Sequence, residues 1–257
     1  MEESCAAAVE LGLPAVAFTD HLDLTPFRAG YLVENFGALV TDGILTAPEF
    51  DVAGYFDGIE RCRSKYPGLR ILAGLEVGQP HHHGRELASL VGSWPFERIL
   101  GSLHCLEDDG RFAEPFELFA NRPAEAVFRD YLAEIPRMVD GSDLFEVFAH
   151  IDYPVRSWPE RALPFDPRDY EDELRVALRA IAEGGRALEV SAKVPLSPLI
   201  LDWWVAAGGR RVTFGSDGHE PWTLGRGLAG VAAMAESRGF RPDTRPEDPW
   251  VLGARTH

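Results

Sequence analysis

Short apolar runs alternate along the chain with polar loops and amphipathic segments. The runs occupy residues 15–19, 70–75, 98–101, 146–149, 187–190 and 211–215. Most are continuously apolar rather than alternating, the pattern of parallel strands covered on both faces. Between them, 124–139 carries Val127, Phe128, Tyr131, Leu132, Ile135, Met138 and Val139 at helical spacing. Pro136 is expected to kink or end its last turn. Residues 171–183 place Leu174, Ala177, Leu178, Ile181 and Ala182 on one face and stop at Gly184-Gly185. Residues 2–11, 198–207 and 224–237 read as three more helices. The alternation predicts an α/β fold around a parallel sheet, and the absence of a linker predicts one domain over 1–257. Six strands are few for a closed βα-barrel, and the chain opens on a helix where such a barrel opens on a strand.

Composition narrows the partners. The 257 residues carry 41 Asp plus Glu against 25 Lys plus Arg, a net charge of −16. That balance argues against nucleic acid and against an anionic membrane as main partners. No apolar run is long enough for a transmembrane span, and the acidic start MEESCAAAVELGL is not a signal peptide. Three separated cysteines, Cys5, Cys62 and Cys105, form no C-x-x-C pair and suit a reducing cytoplasm.

The chemistry gathers at the C-terminal ends of the runs. AVAFT is followed by Asp20-His21, RILAGL by Glu76, RILGSL by His104, EVFA by His150-Ile151-Asp152, and VTFGS by Asp217-Gly218-His219. One histidine after a strand is ordinary, and an aspartate there is often a helix cap. Five strand ends delivering such residues together form a ligand set for zinc, manganese or iron rather than calcium. A carboxylate bridging two cations is the apparatus of two-metal hydrolysis. Arg156, six residues after His150, reads either as a surface arginine or as one that forks onto a phosphate beside the metals.

Other residues take plainer readings. His81-His82-His83 sits in a Pro/Gly-bounded loop and reads as solvated. Cys105 is a buried thiol facing away from His104, and Trp203-Trp204 is packing. The phosphate-loop pattern G-x-x-x-x-G-K-[ST] does not occur.

The ordered set FTDH (18–21), GLEVG (74–78), GSLH (101–104), AHID (149–152), ALEVS (187–191) and FGSDGH (214–219) resembles the PHP (polymerase and histidinol phosphatase) family. The likeness is closest to its histidinol-phosphatases. It implies a distorted TIM-like (β/α)7 barrel with up to three zinc, manganese or iron ions at the C-terminal rim. It implies that Glu76 is the bridging carboxylate, with His104 and His150 beside it on one metal. Asp217 would share a second metal with Glu76, and His21 and His219 would hold a third. Glu76 and Asp217 are then the catalytic carboxylates, and Asp20 and Asp152 supporting groups.

Family members begin with a strand carrying H-x-H, whereas this chain starts at the following helix. The resemblance therefore leads to two expectations. The functional protein begins one strand and loop upstream of Met1, and only the Glu76/His104/His150 position is complete here. An open strand edge would also favour a homo-oligomer. The implied activity is hydrolysis of a small phosphorylated metabolite, L-histidinol phosphate, in histidine biosynthesis. The alternatives are a non-catalytic relative that has lost part of its metal site, and a phosphoesterase with another substrate. The 22–48 loop, rich in Phe, Tyr and Leu, is expected to shape the substrate choice.

Overall fold

The computed structural model describes residues 1–245 and 248–253. All six expected runs form parallel strands: β1 (Ala15–Asp23), β2 (Arg70–Gly78), β3 (Arg98–Ser102), β4 (Val147–Phe148), β5 (Ala187–Ser191) and β6 (Arg211–Gly215). They lie side by side in chain order. Two late strands, β7 (Phe240–Arg241) and β8 (Trp250–Leu252), extend the sheet antiparallel beyond β6, in the order β6-β8-β7. On the opposite side β1 bonds to β2, and among the described residues no ladder joins β1 to β6. A cleft of about 420 Å³ opens between those two strands.

Helices cover the sheet: α1 (Glu2–Glu10), α2 (Val52–Lys65), α3 (Gly84–Ser93), α4 (Ala124–Gly141), α5 (Glu171–Glu183), α6 (Pro198–Ala206) and α7 (Leu228–Ser237). The main core joins α4, α5 and α6 to β4 and β5 through Phe128, Tyr131, Phe148, Leu178 and Trp204. Burial of large aromatic and aliphatic side chains drives this packing. A second core sets Cys5, Tyr55, Phe56 and Ile59 against β1 and β2. Tyr55 ties α2 to the sheet, its hydroxyl donating to Phe18 O at 2.8 Å and accepting from Gly74 N at 2.7 Å.

Three expectations need correction. Pro136 does not end its helix, which runs on to Gly141. Buried Ile135, Met138 and Val139 on either side anchor the turn and outweigh the lost hydrogen bond. The last helix starts at Leu228 rather than 224, because Gly225 and Gly227 both take positive φ. The 22–48 segment is not simply a loop. Its short strands Phe27–Arg28, Val40–Thr41 and Ile44–Leu45 join Leu106–Asp108 and Arg111–Ala113 in a five-stranded sheet. Phe27, Ala29 and Leu45 bury Cys105 there, directly after His104.

Candidate metal centre

The strand register assembles the site. β1 and β2 pair so that His21 stands opposite Glu76, and Asp23 opposite Gly78. Side chains two residues apart on a strand share a face. His21 and Asp23 thus project to the same side. β1 reaches Asp23 and β2 reaches Gly78, so His21 and Glu76 lie on the strands rather than just beyond them.

Glu76 is buried at the centre. Its Oε1 accepts from Ser102 Oγ at 2.6 Å, His150 Nε2 at 2.6 Å and His104 Nε2 at 3.0 Å. Its Oε2 lies 3.9 Å from His21 Nε2. Behind the two rings Asp23 accepts from both Nδ1 atoms, His104 at 2.9 Å and His21 at 3.0 Å. One carboxylate therefore aims two Nε2 atoms at Glu76. Gly78 makes room for it, since a Cβ there would sit 1.9 Å from Asp23 Oδ1.

Charge follows this geometry. Burial pushes the Glu76 carboxyl up, but His150 and His104 outweigh it and hold its pKa well below the carboxylate range. Burial also disfavours a charged His104, yet carboxylates at both ring nitrogens raise its pKa well above that of free histidine. Burial dominates at His150, beside Arg156, and lowers its pKa.

The second group faces Glu76 across the cleft. Asp217 is gripped by Arg156 Nη1 and by Lys193 Nζ at 3.2 Å. His219 Nδ1 is 3.3 Å from Asp217 Oδ1, and the His219 ring stands 5.7 Å from that of His21. Burial raises the Asp217 pKa, and Arg156 more than offsets it, leaving the group lowered. Arg156 stacks over Tyr153 at 5.2 Å and keeps its Nε and Nη2 buried without partners. His150 and Asp217 adopt φ of 26° and 46°, left-handed values that non-glycine residues rarely take. Such strain concentrates at working sites.

The structure thus brings His21, Glu76, His104, His150, Asp217 and His219 to the C-terminal strand ends. His21, Glu76 and His104 offer ligand atoms all within 4.8 Å of one another. Imidazole nitrogens and a buried carboxylate at that spacing fit a transition ion. Asp20 is exposed and lines the cleft, while Asp152 is buried with Oδ1 unpartnered and its pKa pushed up to about 6 by burial. Neither bonds to a ring in the cluster.

Several site residues escaped the sequence reading. Asp23 could have been found from the i, i+2 spacing to His21. Ser102 follows its strand's last glycine, and Lys193 is one of two lysines. Glu189 lines the cleft, its Oε1 unpartnered and its pKa pushed up to about 8 by burial and by Glu76 and Asp217. Glu114 accepts from Tyr153 Oη at 2.9 Å.

A model of the PHP domain family matches residues 1–193. The chain belongs to the PHP domain family. The Lactococcus lactis histidinol-phosphatase is 26% identical over 220 residues, covering 82% of this chain and 75% of its own. A Clostridium acetobutylicum protein named as a probable histidinol-phosphatase is 25% identical over 223 residues, covering 81% and 85%. The crystal structure of the Lactococcus lactis histidinol phosphate phosphatase, complexed with zinc, L-histidinol and phosphate, superposes with a TM-score of 0.75. That match covers 93% of this chain and 87% of the other at 20% identity, and so establishes the shared fold. The expected PHP-type α/β architecture with a parallel sheet is the one found. No helix among the described residues is long and apolar enough to cross a membrane.

Proposed function

We propose that this PHP protein is a metal-dependent phosphomonoester hydrolase that releases phosphate from L-histidinol phosphate. The observation that carries the reading is the buried Glu76 carboxylate, held by two histidines and facing a third, at the mouth of a cleft whose far wall carries Asp217. Relatives bearing the histidinol-phosphatase name over four-fifths of this chain support the substrate.

Glu76, His104 and His150, with His21 alongside, would hold one divalent cation, zinc being the ion in the neighbouring structure. Asp217 and His219 would serve a further ion shared with Glu76 or His21. When bound, the ions supply Lewis acidity to a phosphoryl oxygen and to the attacking water. The protein does the rest by position. Asp23 fixes the His21 and His104 tautomers with Nε2 toward Glu76. Arg156 holds its Nη1 on Asp217, from where it can turn onto a phosphate oxygen. Lys193 adds a second positive charge at the same wall. The small sheet built from 27–45 and 106–113 lies beside His104, where it can contact the alcohol portion of the ester.

The test is phosphate release from L-histidinol phosphate by the full chain, after chelation and again after zinc or manganese is restored. Metal-dependent turnover that disappears in Glu76→Gln is the expected result. A zinc-loaded chain that binds L-histidinol phosphate without releasing phosphate would overturn the reading in favour of a non-catalytic relative. Faster turnover of another phosphate ester would move the substrate.

A further inference from the structure

The turn after β2 contains three successive histidines that the Glu76 cluster does not use. His83 is engaged locally, its Nε2 2.7 Å from Thr25 Oγ1. His81 and His82 face the middle of α4. His81 Nε2 meets Glu134 Oε1 at 3.0 Å, and the His81 and His82 ring centroids are 3.9 Å apart. One ligand atom from each of His81, His82 and Glu134 falls within 4.8 Å of the others.

We propose that His81, His82 and Glu134 form a second divalent transition-metal site, suited to zinc, that staples the turn after β2 to α4. The argument rests on geometry and donor chemistry. Two ligands held 2.0–2.1 Å from a tetrahedral ion stand about 3.3 Å from each other. The His81–Glu134 separation is already close to that spacing. The His82 ring is exposed and packs edge-on to Phe112 at 5.3 Å, beside His81.

Burial holds the His81 ring in this orientation. The His81 side chain is 7% exposed, and its Nδ1 is buried with no partner. With the Nε2 proton donated to Glu134, Nδ1 is the unprotonated nitrogen, and an ion at Nε2 would leave the ring proton on Nδ1. A cation taken up by this ring replaces proton sharing with coordination. The site is also accommodated by the fold. Gly141, the last residue of α4, lies against His81, and a Cβ there would stand 2.7 Å from His81 Cβ. Two imidazoles and one carboxylate favour zinc or a similar ion over magnesium or calcium, which take oxygen ligands. Three protein donors leave a fourth position for water, yet the donors come from a turn and a helix flank rather than from the cleft. The site is therefore structural.

The site is independent of the hydrolase reading, and so is its test. Zinc alone is titrated into the chelated full chain, and bound metal is counted by elemental analysis. Cobalt substitution then reports coordination through its visible d–d absorption. Glu76→Gln should still bind one equivalent through the second site. His82→Gln and Glu134→Gln, each in the Glu76→Gln background, should lose that equivalent and its cobalt band. In the otherwise native chain His82→Gln should lower the zinc count by one while phosphate release stays within twofold. His82 is exposed, so this variant should fold. Unchanged zinc counts and cobalt spectra in both His82→Gln and Glu134→Gln would overturn the proposal, whatever the chain's activity.

Discussion

The two walls of the cleft are built in opposite ways. On the Glu76 wall the carboxylate, His104 and His150 are all buried, and each is positioned by a neighbour that is itself fixed. On the Asp217 wall the carboxylate is held by cations, Arg156 and the 41% exposed Lys193, while His219 is 58% exposed. The first wall is a set of buried groups held by hydrogen bonds to one another. The second is held together by charges that a phosphate could itself engage. The contrast suggests a division of labour in which the first wall would hold metal in a preformed cluster and the second would receive the anion beside its own ion.

The sharpest way to break this contrast is Glu76→Gln. It removes the charge that three histidines surround and keeps the volume. Metal content should fall by at least one equivalent. Phosphate release should drop by more than the 10–100-fold typical of supporting residues. Full metal occupancy in this variant, measured by elemental analysis, would mean that the Asp217 wall holds metal unaided.

Asp23→Asn comes next. Asn cannot accept from both His21 and His104 as a carboxylate does, and zinc affinity should fall about 10–100-fold. The fold should survive, because Asp23 sits at the end of β1 with no part in the core. A competition titration against a chromophoric chelator reads this directly. An unchanged affinity would show that the rings are aimed by packing alone.

Much of this wall was legible in the sequence, for a physical reason. Parallel strands buried on both faces must be apolar throughout, so a polar residue at a strand end stands out, as Glu76 does after Leu75. Asp23 was harder to see because β1 continues past Thr19 as a half-exposed strand, where alternation replaces the apolar run. The small sheet left no pattern at all, since strands of two or three residues have no period to detect. His81 read as solvated because its neighbours are polar. Its burial comes from Gly141 and Glu134, some fifty to sixty positions away in the chain. Lys193 carries no local signal, since only the fold brings it beside Asp217, whereas Glu189 interrupts the apolar run 187–190 and stands out as Glu76 does.

Proton linkage sharpens the comparison further. In the metal-free protein His104 keeps a proton because Asp23 and Glu76 raise its pKa well above that of free histidine. The stability it adds is complete below the unfolded pKa of about 6.5 and is lost as pH rises through the raised folded value. Glu76 acts in reverse, since its folded pKa is lowered. Its contribution is present above the unfolded value near 4.5 and is lost as pH falls through the folded one. Metal must displace the His104 Nε2 proton, so zinc affinity should climb by about tenfold per pH unit near neutrality for each proton released. Calorimetric titrations in buffers of different ionisation enthalpy count that proton. A count of zero would place the ion away from His104.

On the other wall, Arg156→Ala should leave zinc content unchanged and raise KM for the phosphate ester by about tenfold. A charge-assisted hydrogen bond is worth about 1.5–3 kcal/mol, and Lys193 keeps Asp217 partly neutralised. A fall in kcat with KM constant would instead assign Arg156 to the departing group's charge. Loss of zinc in Arg156→Ala would show that Asp217 needs its arginine in order to bind metal.

The smallest effect is expected at Lys193. It holds the same carboxylate as Arg156, at 3.2 Å, but from a position 41% exposed to solvent rather than 14%. Exposed ion pairs contribute about 0.2–1 kcal/mol, because water screens the charge and a long side chain gives up freedom to make the contact. Lys193→Ala should therefore change KM by no more than about fivefold and leave zinc content and thermal stability unaltered. Added salt should shrink even that difference, whereas the Arg156→Ala effect, arising from a buried guanidinium, should persist. If Lys193→Ala proved the more damaging of the two and its effect resisted salt, the ammonium would have to move inward onto the phosphate when substrate binds. The Asp217 wall would then rearrange around its ligand, and the Glu76 wall alone would be preformed.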